Sequence, residues 1–414
     1  MRTPGSTRKE AAVPDDFSPT PRPLPDRPDI RHLKDQAAEM VRCGAAASHT
    51  DTLFRLGRLY GFASWPKLLA HVESLHDTGR LKQAIDSNDL DAVKDLMTRN
   101  PSLHTAPLGY GQNGPLTWVA ECRVPWEPPS LARLAVAQWM IDHGSDVHQG
   151  GDGPLMRAAL NGYRIPMMEL LVANGANVNA EWAGWYPIIF APCESVDAQA
   201  LRWLLEHGAD PVCGLRPERG TALDYVIGTY GRSAQLPECI DMLLSAGCPT
   251  RRGTPAVLET LRGRTDRLAY LFERDPALAK RRFPELDFGT TAHRGLTLRG
   301  GTLLHVAAEF GNVDAARVLL EFGSPVNAKV EADARGIGGQ TPIFHAVSQF
   351  HDWGLPVARL LVAYGANLNV RAQLPGQYDR PDEIVECTPL GYALRFPGTE
   401  SRTVDFLRAT GGKA

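Results

Sequence analysis

Residues 302–327 read TLLHVAAEFGNVDAARVLLEFGSPVN, and residues 341–369 read TPIFHAVSQFHDWGLPVARLLVAYGANLN. Each is two short apolar blocks with a polar step between them and a Gly turn at the end. A Thr opens each first block, where its hydroxyl can cap a helix, and Pro342 fits a first helical turn because that turn needs no N–H donor there. Ala307 and Ala346 follow the His slot, and a small side chain there lets a paired helix approach closely. Gly323 and Gly365 end the second block where a left-handed backbone is expected. Asn327, Asn367 and Asn369 suit the tight loop that comes next.

The same pattern can be followed in both directions along the chain. First-block copies begin at 114, 153, 186, 221, 254, 302, 341 and 388, as GPLTWVA, GPLMRAA, YPIIFAP, TALDYVI, TPAVLET, TLLHVAA, TPIFHAV and TPLGYAL. The spacings are 39, 33, 35, 33, 48, 39 and 47, which is a base period of 33 with insertions. Second blocks ending in a Gly turn include LLVANGANVN (170–179) and LLEHGADPV (204–212). A degenerate early copy is RLKQAIDSNDLDAVKDLMTRNPSLH (80–104). A single unit of this size has too little core to stand alone, whereas stacked units share a continuous one.

Both halves, in this order and at this period, resemble the ankyrin repeat, T-P-L-H-x-A followed by L-L-x-x-G-A-x-x-N. The resemblance covers about nine units over residues 79–411. It implies an all-α solenoid of helix-turn-helix units with hairpin or loop fingers. Residues 29–78 are predicted to form a helical N-terminal cap of three short helices, and LYGFASWPKLLAHVE (59–73) resembles the lead-in of many bacterial ankyrin arrays. On the first helix of this cap, Ile30, Leu33, Ala37, Met40 and Val41 share a face, and Gly44 can end it. Residues 1–28 hold seven prolines and read as a flexible or extended leader, so the array itself is taken as residues 79–414.

Composition bounds the function classes. The net charge of −3, from 44 basic and 47 acidic residues, argues against a dedicated nucleic-acid binder. No apolar run is long enough to span a membrane, and the N-terminus lacks the apolar core of a secretory signal. Seven scattered cysteines without a C-x-x-C point to free thiols in a reducing cytoplasm. No P-loop, G-x-S-x-G or H-E-x-x-H occurs, and no His, Cys or acidic spacing supports a metal site, so neither cofactor nor catalytic residue is assigned.

In the resembling family, partners are gripped on the concave side. The residues used come from the finger before each T-P pair and from the two positions after the A-A slot. Carried over, these positions are Glu121, Asn161, Glu194, Arg262, Glu309, Phe310, Gln349 and Arg395 after the slot, with Asp152, Trp182 and Trp185 in the fingers. Trp182 and Trp185 have two readings: an exposed hot spot for a partner, or packing against a neighbouring finger with Trp118 and Tyr186. Trp126, in the insertion VPWEPPS (124–130), is a further candidate.

Residues 251–300 hold eleven basic residues against six acidic ones, a local +5, read as a solvated basic surface offset elsewhere. The insertion RAQLPGQYDRPDEIVE (371–386) reads as a solvated acidic loop, and His305 and His345 as braces of the turn. The leading expectation is a scaffold that binds a protein partner. The alternatives are an enzyme with a small-molecule pocket between the inner helices and the long fingers, and an immunity or inhibitor protein that occludes its partner.

Overall fold

The computed structural model describes residues 22–25, 28–43, 49–74, 76–108, 113–122, 127–213, 220–286, 296–376, 383–395 and 401–414. The chain divides into two compact units, residues 1–118 and 119–414.

The first unit opens with α1 (Ile30–Arg42), α2 (His49–Leu59) and α3 (Trp65–Ser74). Asp29 caps α1 by accepting from the backbone N–H groups of Arg31 and His32 at 2.6 and 3.1 Å. These bonds hold the Asp29 carboxyl below its usual range. The apolar faces of the three helices close on Leu33, Ala37, Leu56, Leu68 and Val72. Val41 is 40% exposed and takes no part in this core, and Gly44 lies outside the described residues. Gly57 is where α2 meets the start of α3, since a Cβ there would sit 2.8 Å from the Ser64 carbonyl carbon. The end of the Pro-rich stretch lies against this cap: Arg22 donates its N–H to the Leu59 carbonyl, and Leu24 packs on the core. Next come α4 (Asp77–Asp86) and α5 (Leu90–Arg99), which bury Leu81, Ile85, Val93, Leu96 and Met97. They occupy the stretch read from the sequence as a degenerate early copy. Trp118 donates its indole N–H to Asp86 at 2.7 Å, with the Lys82 ammonium 4.1 Å above its ring.

α6 (Pro115–Glu121) runs across the division, and α7 (Leu131–Asp142) follows. The second unit then repeats a leading helix and a trailing helix: α8 (Gln149–Ala158) with α9 (Ile165–Ala173), α10 (Phe190–Ser195) with α11 (Ala198–Glu206), α12 (Ala222–Gly228) with α13 (Leu236–Ser245), α14 (Pro255–Arg262) with α15 (Thr265–Arg274), α16 (Leu303–Glu309) with α17 (Val313–Glu321), α18 (Pro342–Val347) with α19 (Leu355–Ala363), and α20 (Pro389–Ala393) with α21 (Arg402–Ala409). Leading helices stack as α10 on α12, α14 on α16, α16 on α18 and α18 on α20, and trailing helices stack as α11 on α13, α15 on α17 and α17 on α19. The all-α repeat architecture expected from the period is the one observed.

The opening Thr works as its spacing implies. Thr221 and Asp224 form a reciprocal capping box, and Thr254 and Thr388 cap α14 and α20. Thr302 directs its backbone N–H to Nδ1 of His305 at 3.0 Å, so this ring braces the helix start. Burial, then the neighbouring His345, holds the His305 imidazole well below its usual pKa and therefore neutral. The Gly turns at 175, 208, 323 and 365 all have positive φ. The Asn that follows does more than suit a tight loop, because it reaches into the next unit. Asn327 donates to the Gly365 carbonyl at 3.0 Å and accepts from the Asn367 N–H at 2.8 Å; Asn369 repeats both contacts with Gly411 and Lys413.

Among the described residues, two fingers are hairpins. Strands β1 (Glu181–Trp182) and β2 (Tyr186–Pro187) pair antiparallel with Trp182 opposite Tyr186. Strands β3 (Ala372–Pro375) and β4 (Ile384–Cys387) pair with Ala372 opposite Cys387. The second hairpin occupies the stretch read from sequence as a solvated loop; residues 377–382, with Asp379 and Asp382, lie outside the described residues. Among the described residues, no helix is long and apolar enough to cross a membrane. Cys43 is exposed, and the six other cysteines are buried free thiols.

Candidate functional site

The finger at 181–187 stands beside a kink in the first turn of α8. Gly150, Gly151 and Asp152 all have positive φ, which bends this segment against β1. A Cβ on Gly151 would lie 2.3 Å from the Glu181 carbonyl oxygen, so only glycine permits the approach. The Gly150 carbonyl accepts from the Ala183 N–H at 2.8 Å and pins the finger tip. Ala183 and Gly184 turn the tip with φ of 53° and 73°, and the rings of Trp182 and Trp185 that flank this turn lie 6.3 Å apart.

Tyr186 joins this tip to the leading helices. Its ring is 6.2 Å from Trp182 and 5.5 Å from Trp185, edge-on to both, and edge-on to Tyr225 at 5.9 Å. Tyr225 in turn stacks on Phe190 at 4.2 Å. Three phenol hydroxyls converge on one carboxylate, that of Glu194 at the end of α10. Tyr186 and Tyr225 donate to Oε2 at 2.8 and 3.3 Å, and Tyr230 donates to Oε1 at 2.6 Å. Burial first, and the adjacent carboxylate as well, raises the pKa of all three phenols, that of Tyr230 to about 12, so they remain donors at neutral pH. Trp185 is 56% exposed and Tyr230 52%, while Tyr186 beneath them is buried.

A second cluster centres on Glu309, which is fully buried at the end of α16. Its carboxylate pairs with Arg232 at 2.7 Å, with His345 Nδ1 at 2.7 Å and with the Gln349 amide at 3.1 Å. The Arg232 guanidinium lies 4.3 Å over the Phe310 ring. Arg232 sits in the connection between α12 and α13, which is anchored at both ends. Thr229 donates its hydroxyl to the Glu194 carbonyl at 3.1 Å, and Arg232 reaches the Glu309 carbonyl as well as its carboxylate. Residues 229–232 therefore run from one cluster to the other.

The remaining sequence candidates are spread along the array. Glu121 is 3.8 Å from Arg157, whose guanidinium lies 5.9 Å from the Trp182 ring. Asp152 is buried and accepts from the Asn177 N–H at 3.0 Å, which is a structural use of that finger position. Asn161 begins the turn before α9 and accepts from the Arg164 N–H at 3.0 Å. Arg262 pairs with Asp241 and with Glu259, and Arg395 lies 3.5 Å from Glu383. Trp126 lies outside the described residues.

The structure thus joins Trp182, Trp185 and Glu194 in one cluster and Glu309, Phe310 and Gln349 in another. Tyr225, Tyr230 and Arg232 belong to these clusters and are missing from the motif-derived set. The signal for Tyr230 and Arg232 is the run Thr229-Tyr230-Gly231-Arg232, an aromatic and a cation just beyond a motif slot, whereas Tyr225 lies inside the block TALDYVI (221–227). The basic stretch 251–300 is partly offset: Arg251 lies 3.9 Å from Asp224, and Arg264 pairs with Asp241 at 2.8 Å. Among the described residues no cluster of His, Cys and acidic side chains could hold a metal ion.

Comparison with known proteins agrees with the repeat geometry. The model of a single ankyrin repeat matches residues 150–182, and a model of three ankyrin repeats matches residues 274–372. No curated protein matches the chain. A crystal structure of the human ASB11 ankyrin repeat domain matches at 22% identity, covering 73% of this chain and 100% of that one, with a TM-score of 0.32. So loose a global superposition adds nothing to the local geometry. Ankyrin repeats generally mediate protein–protein interaction. The chain thus contains ankyrin repeats at residues 150–182 and 274–372, and the Gly turns at 175, 323 and 365 fall within them.

Proposed function

We propose that the chain is a protein-binding scaffold whose partner docks on the concave face, at the finger 181–187 and the adjoining ends of α10 and α12. One observation carries this reading. Trp185 and Tyr230 are more than half exposed yet contiguous with Trp182, Tyr186 and Tyr225 around a fixed carboxylate. Exposed large aromatics ringed by polar groups are the side chains that dominate protein interfaces. Tyr186 supports the tip from below, so the aromatic surface is held in place before a partner arrives, which lowers the ordering cost of binding.

The Glu309 cluster has a different role on this reading. Its carboxylate is spent on Arg232, His345 and Gln349, and it holds the connection that carries Tyr230. It positions the surface and does not touch the partner.

The test is affinity capture from the native host with the wild-type chain, Trp185→Ala and Trp182→Ala/Trp185→Ala. The exposed Trp185 can be removed within about 0.5 kcal/mol of wild-type stability, so loss of capture there is not loss of fold. At least one captured protein is expected to fall tenfold or more with Trp185→Ala and further with the double variant. Unchanged recovery of every captured protein would refute the site.

A further inference from the structure

We infer that the Glu194 site takes an arginine side chain of the partner protein. This rests on the proposed contact surface and names the chemistry it recognises.

A carboxylate set among aromatic rings is a receptor for a cation. The ring faces carry negative potential, and a planar guanidinium can stack on a ring while it hydrogen-bonds an acid. The chain fills two such sites with its own arginines. At Glu309, Arg232 is 2.7 Å from the carboxylate and 4.3 Å from the Phe310 ring centre. At Glu121, Arg157 is 3.8 Å from the carboxylate and 5.9 Å from the Trp182 ring centre. Glu194 has the same ingredients in greater number: Tyr186, Tyr225 and Tyr230 on its oxygens, with Trp182 and Trp185 beyond Tyr186. Among the described residues, no lysine or arginine pairs with it.

The three hydroxyls orient the carboxylate without neutralising it. Oε2 accepts two of these bonds and Oε1 only one, from the half-exposed Tyr230, so Oε1 retains capacity to accept another donor. An incoming arginine can lay its apolar stem along the exposed Trp185 and bring its head to Oε1, a division of labour that suits an amphipathic side chain. An acidic side chain would be repelled, and an apolar one would leave the carboxylate unused. A lysine ammonium offers charge but no plane to stack.

The test uses the full chain labelled with 5-fluorotryptophan. The Trp182 and Trp185 fluorine resonances are assigned from single Trp→Phe variants. The probes are acetyl-Gly-Arg-Gly-amide and its citrulline and lysine counterparts; citrulline keeps the shape of arginine and loses the charge. The arginine peptide is expected to shift both resonances at a concentration at least fivefold below citrulline and below lysine. Glu194→Gln, which keeps the volume and one acceptor oxygen but replaces the other with an N–H donor and removes the charge, is expected to bring the arginine peptide to the citrulline level. Equal response to arginine and citrulline, equal response to arginine and lysine, or no effect of Glu194→Gln would each overturn the assignment. If that happens while Trp185→Ala still loses a captured protein, the contact surface stands and only its cation chemistry falls. If the arginine response holds while capture is unaffected, the contact surface falls and the cation site stands.

Discussion

Glu309 illustrates both the reach and the limit of reading residues from a motif. Its slot after the A-A pair is legible in the sequence, and so is its position near the finger side. Its fate is not, because Arg232 lies 77 residues away in a connection with no repeat signature. A motif gives the slot and its neighbours within a unit; a partner two units distant is set by how the units stack. The burial makes the pair testable. Glu309→Ala leaves Arg232, itself only 7% exposed, without its carboxylate, and removing one member of a buried pair costs about 3–5 kcal/mol. Replacing both members with apolar residues, as in Arg232→Met/Glu309→Leu, removes the stranded charge and is expected to recover a large part of that loss. Urea unfolding of the single and double variants measures it. A double variant whose loss is the sum of the two single losses would mean that the side chains act independently.

Among the elements, the leading helices were the most legible. Thr, Pro and small residues at fixed offsets specify where such a helix starts and which side its neighbour can approach, and α14, α16, α18 and α20 form there. The connections were the least legible. Residues 371–386 look like a polar loop because β3 and β4 are four residues each, too short for alternation to stand out beside Asp and Pro. The connection 229–232 shows no periodicity, yet it links the two clusters. Its packing is close: a Cβ on Gly231 would lie 2.8 Å from the Glu194 carbonyl oxygen, against backbone that cannot swing aside. Gly231→Ala is therefore expected to displace the connection, lower stability by about 1–3 kcal/mol and weaken partner capture through Tyr230. Thermal unfolding and capture, run on the same preparation, check both effects. A variant as stable as wild type would show that the connection is looser than its contacts imply.

For the molecule as a whole, the 33-residue period was enough to establish an all-α repeat array, and mean composition said little about where it binds. The near-zero charge conceals local order: arginines of the basic stretch are answered by Asp224 and Asp241, while Glu194 is met by tyrosine hydroxyls. The candidate site was half legible. Trp182, Trp185 and Glu194 could be picked from their slots, but only the stacking of α10 on α12 brings Tyr225 and Tyr230 to the same carboxylate. The central claim is that this aromatic finger is where a protein partner sits. Site-specific photo-cross-linking tests it most directly, with p-benzoylphenylalanine placed at Trp185 and, as a control, at Tyr270, a residue of α15 that is 43% exposed. A partner protein joined in the native host from position 185 and not from 270 is the predicted result. A partner joined from 270 and never from 185 would contradict it.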